Sequence, residues 1–147
     1  IFEGSYFEDK VYGRQAAINI AQFMEDKYKI MPQFANDDTM DLFRNAFIDS
    51  MRYNRKLVYF GTGKICRNVL AEYQNMPVSF FLDNDKKNNG TYLEGKEIKH
   101  PERIENWNEL YIIITTYHSS EIDKQLKDLG LLKYKDYINF QELFKVV

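Results

Sequence analysis

Apolar residues follow two different spacings along this chain. In residues 11–28 and 38–54 they recur every three or four positions, which is typical of helices with one buried face. After residue 55 they occur instead in short unbroken runs, which are typical of parallel strands covered on both faces. These runs lie at residues 57–60, 78–82 and 111–114. The pattern predicts a helical extension over residues 1–55 and an α/β domain over residues 56–147.

The predicted domain contains a mainly parallel sheet of about five strands. Two weaker strands, at residues 97–98 and 137–140, join the three apolar runs. Amphipathic helices separate several strands, so we expect a doubly wound α/β fold with helices on both faces of the sheet and strand order 3-2-1-4-5. Residues 101–108 have the pattern of a short helical connection whose Trp107 packs into the core.

Two helices of this domain have sequence signals for their ends and faces. The first begins at Lys64, and its apolar face is predicted to include Met76. The second is expected to have Ser119 or Ser120 as its cap, an apolar face that includes Leu129, and a glycine at its end. Both helices are therefore expected to pack on the sheet along these faces.

A two-glycine turn links the first strand to the helix that follows it. Gly61 can adopt a tight turn that a residue with a Cβ resists, and Gly63 lets the backbone approach a pyrophosphate closely. Thr62 lies between them, and the next helix directs free N–H groups toward such an anion, with Lys64 adding a positive charge. The turn predicts a phosphate-binding site at residues 61–64.

An acidic residue follows the second strand at the separation expected of a ribose contact. Asp83 lies twenty residues beyond Gly63, and a carboxylate there reaches ribose hydroxyls in dinucleotide-binding folds. Asp83 and Asn84 are also residue types that favour turns. We therefore predict nucleotide contacts at Asp83 and Asn84, with a plain turn as the alternative.

The last strongly apolar run ends in a polar segment that we expect at the same edge of the sheet. The segment comprises Thr115, Thr116, Tyr117 and His118. If its strand lies beside the first strand where the strand order reverses, these residues face the glycine turn and contact the ligand. For His118 a plain loop role and a general acid–base role both remain open, because no partner for proton transfer is evident.

Cys66 occupies the third glycine position of a Gly-x-Gly-x-x-Gly pattern. Cysteine is small and often buried, so it can replace glycine where the helix contacts the strand, although the helix and the strand are then slightly farther apart. A reactive thiol is the alternative. We predict a packed thiol.

The charge and composition of the chain argue against several partners. The net charge of -2, with acids and bases interspersed, disfavours nucleic acid and anionic membranes, which attract clustered Lys and Arg. The apolar runs are too short to span a bilayer, no signal-peptide pattern opens the chain, and one cysteine suits a reducing compartment. We expect a cytoplasmic protein, and with two histidines no metal site is predicted.

The ends and the aromatic content of the chain suggest further partners. The chain begins at Ile1 rather than at a methionine, so we expect a further domain in a longer parent protein. Aromatic residues make up 16% of the chain, and Tyr and Phe are enriched at interfaces. The helical extension therefore either packs on the core or docks another domain or a second copy, as in a homodimer.

Four segments of the domain carry a resemblance to a known family. They are residues 58–64, 80–85, 95–102 and 112–115. Through these segments, residues 56–144 resemble the Rossmann-like nucleotide-binding module of bacterial sugar-nucleotide epimerase/dehydratase-type proteins. They also resemble domains attached to sugar acyltransferases and methyltransferases. The resemblance implies binding of NAD(P) or a nucleotide-sugar, with Gly61, Gly63 and Asp83 as contact points.

Four functions remain open at this stage. We prefer a nucleotide-binding domain within a sugar-nucleotide-processing enzyme, because this function explains the motifs without requiring catalytic residues that the sequence does not show. A self-sufficient short-chain oxidoreductase or epimerase needs Tyr-x-x-x-Lys on a helix after the fourth strand, whereas this spacing occurs at Tyr6 with Lys10 and at Tyr92 with Lys96. A methyltransferase that uses S-adenosylmethionine would have glycine where Ile65 stands. A structural or regulatory module with a vestigial site is the fourth.

Overall fold

The computed structural model describes residues 55–74 and 76–142. The described residues form six strands and two α-helices, joined by loops and short 3-10 turns. Along the chain these elements are β1 (Lys56–Phe60), α1 (Lys64–Glu72), β2 (Val78–Leu82), β3 (Tyr92–Leu93), β4 (Lys96–Lys99), β5 (Leu110–Ile114), α2 (Ser119–Asp128) and β6 (Tyr137–Asn139). The predicted helical extension, apart from Arg55, lies outside the described residues, as does residue 143 onward.

The described strands form one sheet in the order β3-β4-β2-β1-β5-β6. Every neighbouring pair is parallel except β3 and β4, which are antiparallel. The mixed α/β class, the mainly parallel sheet and the order 3-2-1-4-5 of the five predicted strands are thus confirmed. The chain runs from β1 outward through β2 to β4, and then returns to the other side of β1 as β5.

The described sheet has a sixth strand that was not predicted, β3, at its edge. It pairs with β4 across Glu94 and Gly95, both of which have positive φ angles, of 50° and 79°. A strand of two residues whose Tyr92 is 70% exposed has no apolar run, so the hydrophobic pattern could not reveal it.

Alternate residues of β1 pack into two separate apolar clusters on opposite faces of the sheet. Tyr59 belongs to the cluster that contains the buried residues of α1, and Val58 and Phe60 belong to the cluster that contains those of α2. This follows from the two-residue period of a strand. One helix therefore covers each face, and the unbroken apolar run of β1 is buried on both sides.

The structure corrects three details of the helices. α1 ends at Glu72, and Met76 is buried from the connection to β2 rather than from the helix. α2 begins at Ser119 itself, with His118 in the capping position and no side-chain capping hydrogen bond. Leu129 follows the last turn of α2 and is 47% exposed, so it lies outside the apolar face.

The connection between β4 and β5 consists of two 3-10 turns, Pro101–Arg103 and Trp107–Glu109. Their N-terminal residues are capped by His100 and Asn106, whose side chains accept from main-chain N–H groups two residues ahead. Trp107 is half-buried against the α2-side cluster. The predicted helical connection is therefore present only as two separate 3-10 turns, and Trp107 packs against the core without being fully buried.

Among the described residues no helix is long and apolar enough to cross a membrane.

Candidate functional site

The crevice at the carboxyl ends of β1 and β5 is where the candidate site lies. The two strands are neighbours, and Phe60 is paired with Ile114 at their ends. Because the chain continues from β1 toward β2 but from β5 toward β6, the connections after these strands diverge. Such a reversal of strand order leaves a crevice at the sheet edge, where α/β proteins bind ligands.

Gly61 makes the close turn that leaves β1. Its φ angle is 113°, and its N–H donates to the carbonyl oxygen of Leu82 at 2.8 Å. A Cβ added to Gly61 would lie 2.9 Å from the Cβ of Thr116 and 3.1 Å from the carbonyl oxygen of Thr115. The predicted tight turn is confirmed, and the loop after β5 approaches it too closely for any side chain.

Gly63 has a different role from Gly61, because it is the N-cap residue of α1. Its φ angle is -83°, no side chain caps the helix, and nothing lies within 4 Å of an added Cβ. The first turn of α1 therefore has main-chain N–H groups without a side-chain acceptor at its cap, next to open space. The neighbouring Lys64 is exposed, and both features favour an anion there.

A cleft of about 250 Å³ lies between the N-terminus of α1 and the loop that follows β5. Hereafter "the cleft" denotes this cavity, which is lined by Gly63, Lys64, Ile65, Thr115, Thr116, Tyr117 and His118. It brings together six of the ten predicted site residues. The other four, Gly61, Thr62, Asp83 and Asn84, lie outside its lining.

Both threonines of the lining form hydrogen bonds that stabilise the loop. Thr115 is fully buried, and its hydroxyl lies 2.8 Å from the carbonyl oxygen of Gly61 and 3.2 Å from that of Phe60. The Thr116 hydroxyl accepts from the N–H of His118 at 3.2 Å. The Thr115 bonds hold the β5 loop against the turn after β1, and the Thr116 bond lies within the loop itself.

Tyr117 and His118 are the exposed side chains of this loop. Tyr117 is 64% exposed. Its ring packs edge-to-face with the ring of Phe140, and the two ring centroids are 6.1 Å apart. His118 is in the capping position of α2. An aromatic ring and an imidazole at the mouth of the cleft can stack on or hydrogen-bond to a ligand.

Asp83 and Asn84 are both bonded within the chain. Asp83 accepts from the Thr62 hydroxyl and from the N–H of Asp85, the latter at 2.8 Å. Asn84 and Gln125 exchange two hydrogen bonds between their side-chain amides, of 2.9 and 3.1 Å. The turn role considered for Asp83 is therefore present, and Gln125 is a partner that the sequence did not indicate, because 41 residues separate it from Asn84.

Cys66 is the packed thiol that its position in the pattern predicted. It is fully buried against the sheet in the cluster that contains Tyr59. Burial raises the pKa of the thiol to about 12, although its hydrogen bond with Thr115 acts to lower the pKa. A thiol with this pKa is neutral near pH 7, so Cys66 is not an activated nucleophile.

Other cavities of the described chain lie away from the glycine turn. A groove of about 560 Å³ between α2 and the connection before β5 includes Trp107 in its lining. It is larger than the cleft, but it runs along the flank of α2. A smaller polar cavity of about 210 Å³ includes Asp123 and Lys133, which are already paired with Lys127 and Glu142. Of these three cavities, the cleft is the one that adjoins both predicted ligand-binding segments.

The Tyr-x-x-x-Lys spacing at Tyr92 and Lys96 does not form a catalytic pair of the short-chain type. The two residues lie on β3 and β4, either side of the hairpin turn, and both are exposed. A helix is needed to place the lysine one turn from the tyrosine. Among the described residues, no group of three or more His, Cys, Asp or Glu could hold a metal ion.

The comparisons with known proteins give a family for the chain. The sequence model of the C2185-like, N-terminal family matches residues 53–136, more than half of the chain, from just before β1 to just before β6. No curated protein sequence matches the chain at a significant level. The chain therefore belongs to the C2185-like, N-terminal family.

Proposed function

We propose that this domain is a Rossmann-like, doubly wound nucleotide-binding domain of a sugar-nucleotide-processing enzyme, and that it holds NAD(P) or a nucleotide-sugar in the cleft. The observation that carries the proposal is the position of the cleft. It lies at the carboxyl ends of β1 and β5, on the two sides of the strand-order reversal, and the glycine turn after β1 forms one wall.

The wall formed by the turn and α1 suits a phosphate group. Nothing lies within 4 Å of a Cβ added to Gly63, so an anion can approach the main chain closely on that side. The first N–H groups of a helix and its dipole attract negative charge. Lys64 adds a flexible ammonium group at the same position. A pyrophosphate, shared by NAD(P) and nucleotide-sugars, satisfies all three features.

The opposite wall suits the remaining, less charged part of such a ligand. Tyr117 presents an exposed ring and His118 an exposed imidazole. Aromatic and imidazole rings pack against sugar and base faces, and their polar atoms bond hydroxyl groups. The ligand would therefore cross from α1 to the β5 loop. We assign the chemical step to a further domain of the parent protein.

A non-catalytic structural or regulatory module is the second candidate. One observation favours it: the carboxylate of Asp83, the residue expected to bind ribose, is bonded to Thr62 and Asp85 instead. A module of this kind would keep the fold and the closed turn without binding a nucleotide.

Ligand-dependent thermal stability separates the two candidates. The chain would be heated with NAD, NADP, UDP-glucose or S-adenosylmethionine at millimolar concentration. A ligand present at one hundred times its dissociation constant adds about 2.7 kcal/mol to the free energy of unfolding. A raised melting temperature with NAD, NADP or UDP-glucose supports the proposal, whereas no shift with any of the four favours the structural module.

Substitutions then locate the ligand. Lys64→Ala should weaken binding of the stabilising ligand, and Lys56→Ala is its matched control, because Lys56 is an exposed lysine at the opposite end of β1. Gly63→Ala should weaken binding by occupying the open space beside the turn without displacing a neighbouring atom. Equal affinity in wild type, Lys64→Ala and Gly63→Ala would place the ligand elsewhere.

A further inference from the structure

The carboxylate of Asp83 is bonded within the chain by donors on three residues. The Thr62 hydroxyl and the side-chain amide of Asn88 donate to Oδ2, the amide at 3.4 Å, and the N–H of Asp85 donates to Oδ1 at 2.8 Å. A carboxylate has about four lone-pair positions for hydrogen bonds. Most of the accepting capacity of Asp83 is therefore used by the protein itself.

The hydrogen bond from Thr62 connects Asp83 to the glycine turn. Thr62 is only 7% exposed, and it lies between the two glycines. The N–H of the adjacent Gly61 donates to the carbonyl oxygen of Leu82, the last residue of β2, at 2.8 Å. One main-chain bond and one side-chain bond thus hold the turn against the end of β2.

A second pair of hydrogen bonds closes the same side of the crevice. The side-chain amides of Asn84 and Gln125 bond each other in both directions, at 2.9 and 3.1 Å. Gln125 is on α2, which follows β5, so this pair joins the end of β2 to a helix on the far side of the strand-order reversal. The polar groups that follow β2 are bonded to each other and to neighbouring elements of the chain.

The cleft opens on the other side of the turn. Its lining includes residues of α1 and of the β5 loop, and it includes neither Asp83 nor Asn84. Since three of the roughly four acceptor positions of Asp83 are occupied, a ribose hydroxyl would have to use the remaining position on Oδ1 or displace one of these donors. The spacing from Gly63 to Asp83 predicts a ribose contact, but the hydrogen bonds favour a different role.

We infer that Asp83 is a positioning residue, which holds the glycine turn through Thr62, and that the site does not recognise the ribose 2′-hydroxyl through this carboxylate. The inference rests on the proposed function. The ligand is a nucleoside diphosphate or its sugar ester, selected by its phosphates at α1 and by the group that lies over Tyr117 and His118. Ribose and 2′-deoxyribose forms of the ligand then bind equally well.

Paired ligands test the recognition of ribose. The affinities of the wild-type chain for ADP and 2′-deoxy-ADP, and for UDP and 2′-deoxy-UDP, would be measured by isothermal titration calorimetry. We expect each deoxy form to bind within about twofold of its ribose form. A carboxylate that bonds the 2′-hydroxyl would instead weaken the deoxy form by about tenfold or more, the effect of one charge-assisted hydrogen bond.

Substitutions at Thr62 test the positioning role. Thr62→Val removes the hydroxyl at nearly constant volume, and we expect it to weaken binding of the ribose and deoxy forms by the same factor, about tenfold. Thr62→Ser restores the hydroxyl and should restore the affinity. Asp83→Ala should behave as Thr62→Val does. Asp85→Asn is the control, because it retains both the N–H that is donated to Asp83 and a side-chain acceptor for the N–H of Lys87.

The outcomes separate this inference from the proposed function. If the wild-type chain binds none of ADP, UDP, NAD or UDP-glucose, both are overturned. If it binds a nucleotide but prefers the ribose form tenfold, and Asp83→Ala abolishes that preference, only the inference is overturned. Unchanged affinity in Thr62→Val would also overturn it. Equal binding of ribose and deoxy forms, with loss in Thr62→Val and recovery in Thr62→Ser, supports it.

Discussion

A Cβ on Gly61 would lie 2.9 Å from the Cβ of Thr116. Because carbon atoms in contact prefer separations of about 3.5–4.0 Å, the turn after β1 and the loop after β5 can meet only through a glycine. The φ angle of 113° at Gly61 lies in a region that residues with a Cβ rarely adopt. Two independent constraints therefore act on this residue.

We expect Gly61→Ala to destabilise the domain by about 2–4 kcal/mol, since backbone strain of roughly 1–3 kcal/mol adds to the steric conflict with Thr116. Urea denaturation followed by circular dichroism would measure the change. Gly90→Ala is the matched control: Gly90 also has a positive φ angle, of 83°, but nothing lies within 4 Å of its added Cβ. Equal losses in the two variants would show that strain alone matters.

Cys66 should be unreactive in the folded protein and easily labelled in the unfolded one. Its thiol is fully buried, and its raised pKa keeps it protonated at pH 8. An aromatic disulfide reagent should therefore label less than a tenth of the protein in buffer within the time that it labels the urea-unfolded chain completely. Because the chain has one cysteine, the absorbance change reports this residue alone. Rapid labelling of the folded protein would contradict the burial.

The same thiol should make stability fall at high pH. Burial raises the pKa of Cys66 in the folded state from an ordinary value of 9.0 to about 12, so above pH 9 the unfolded chain loses a proton that the folded chain retains. The free energy of unfolding should then decrease by up to about 1.4 kcal/mol per pH unit. Urea denaturation at pH 8.0, 9.0 and 10.0 would test this. Cys66→Ala should show a shallower decline, and an identical slope would assign the effect to other groups.

Arg55 and Asp136 form a nearly buried ion pair at the amino ends of the strands. The charged groups approach to 3.2 Å, and their side chains are 12% and 11% exposed. Asp136 also accepts from the N–H of Leu132 at 2.8 Å. We expect Asp136→Ala to cost about 3–5 kcal/mol in unfolding free energy, because a nearly buried guanidinium loses its charged partner and keeps only carbonyl acceptors. Removing the exposed ion pair between Lys124 and Asp128 should lower the free energy of unfolding by less than about 1 kcal/mol.

A double-mutant cycle separates the ion pair from the loss of each side chain. Asp136→Ala, Arg55→Met and the double variant would be compared with wild type by urea denaturation. We expect the double variant to be more stable than the sum of the two single losses predicts, since it leaves no charge buried alone. Additive losses would mean that the two groups do not interact in solution.

Asp123 should support stability above about pH 4 and lose this effect in acid. Burial acts to raise its pKa, but hydrogen bonds with Lys127 and Tyr137 outweigh burial and hold the pKa below its ordinary value. The contribution is present above the unfolded pKa and is lost as the pH falls through the lower folded pKa. Asp123→Asn should therefore flatten the dependence of the melting temperature on pH between pH 5 and pH 3. An unchanged curve would contradict the assignment.

Much of the sheet was predictable because its strands are short apolar runs with distinctive spacing. The run at residues 78–82 coincides with β2. The runs at residues 57–60 and 111–114 begin one residue after β1 and β5 begin, and they end at the same residues as these strands. Burial on both faces requires an unbroken apolar run, and this requirement is visible without a structure. The edge strand β3 was missed for the opposite reason, since it buries little and has no pattern.

The helix ends were predicted less well, because capping depends on a few atoms in a particular geometry. Ser119 has the composition of a cap but lies inside α2, with His118 before it. Met76 has the spacing of a helical core residue but reaches the core from the loop after α1. Both differences concern helix boundaries, which the spacing of residues defines less sharply than the buried face of a helix.

The candidate site shows the same division. The sequence by itself determined that a glycine turn follows β1, that polar residues follow β5, and that the thiol of Cys66 faces the core, because local periodicity specifies these features. Only the tertiary structure showed that Thr62 bonds Asp83, that Asn84 bonds Gln125, and that the cleft opens toward β5. These contacts join residues 21 and 41 positions apart, and such distances are set by how the strands are ordered in the sheet, which no local pattern of residues contains.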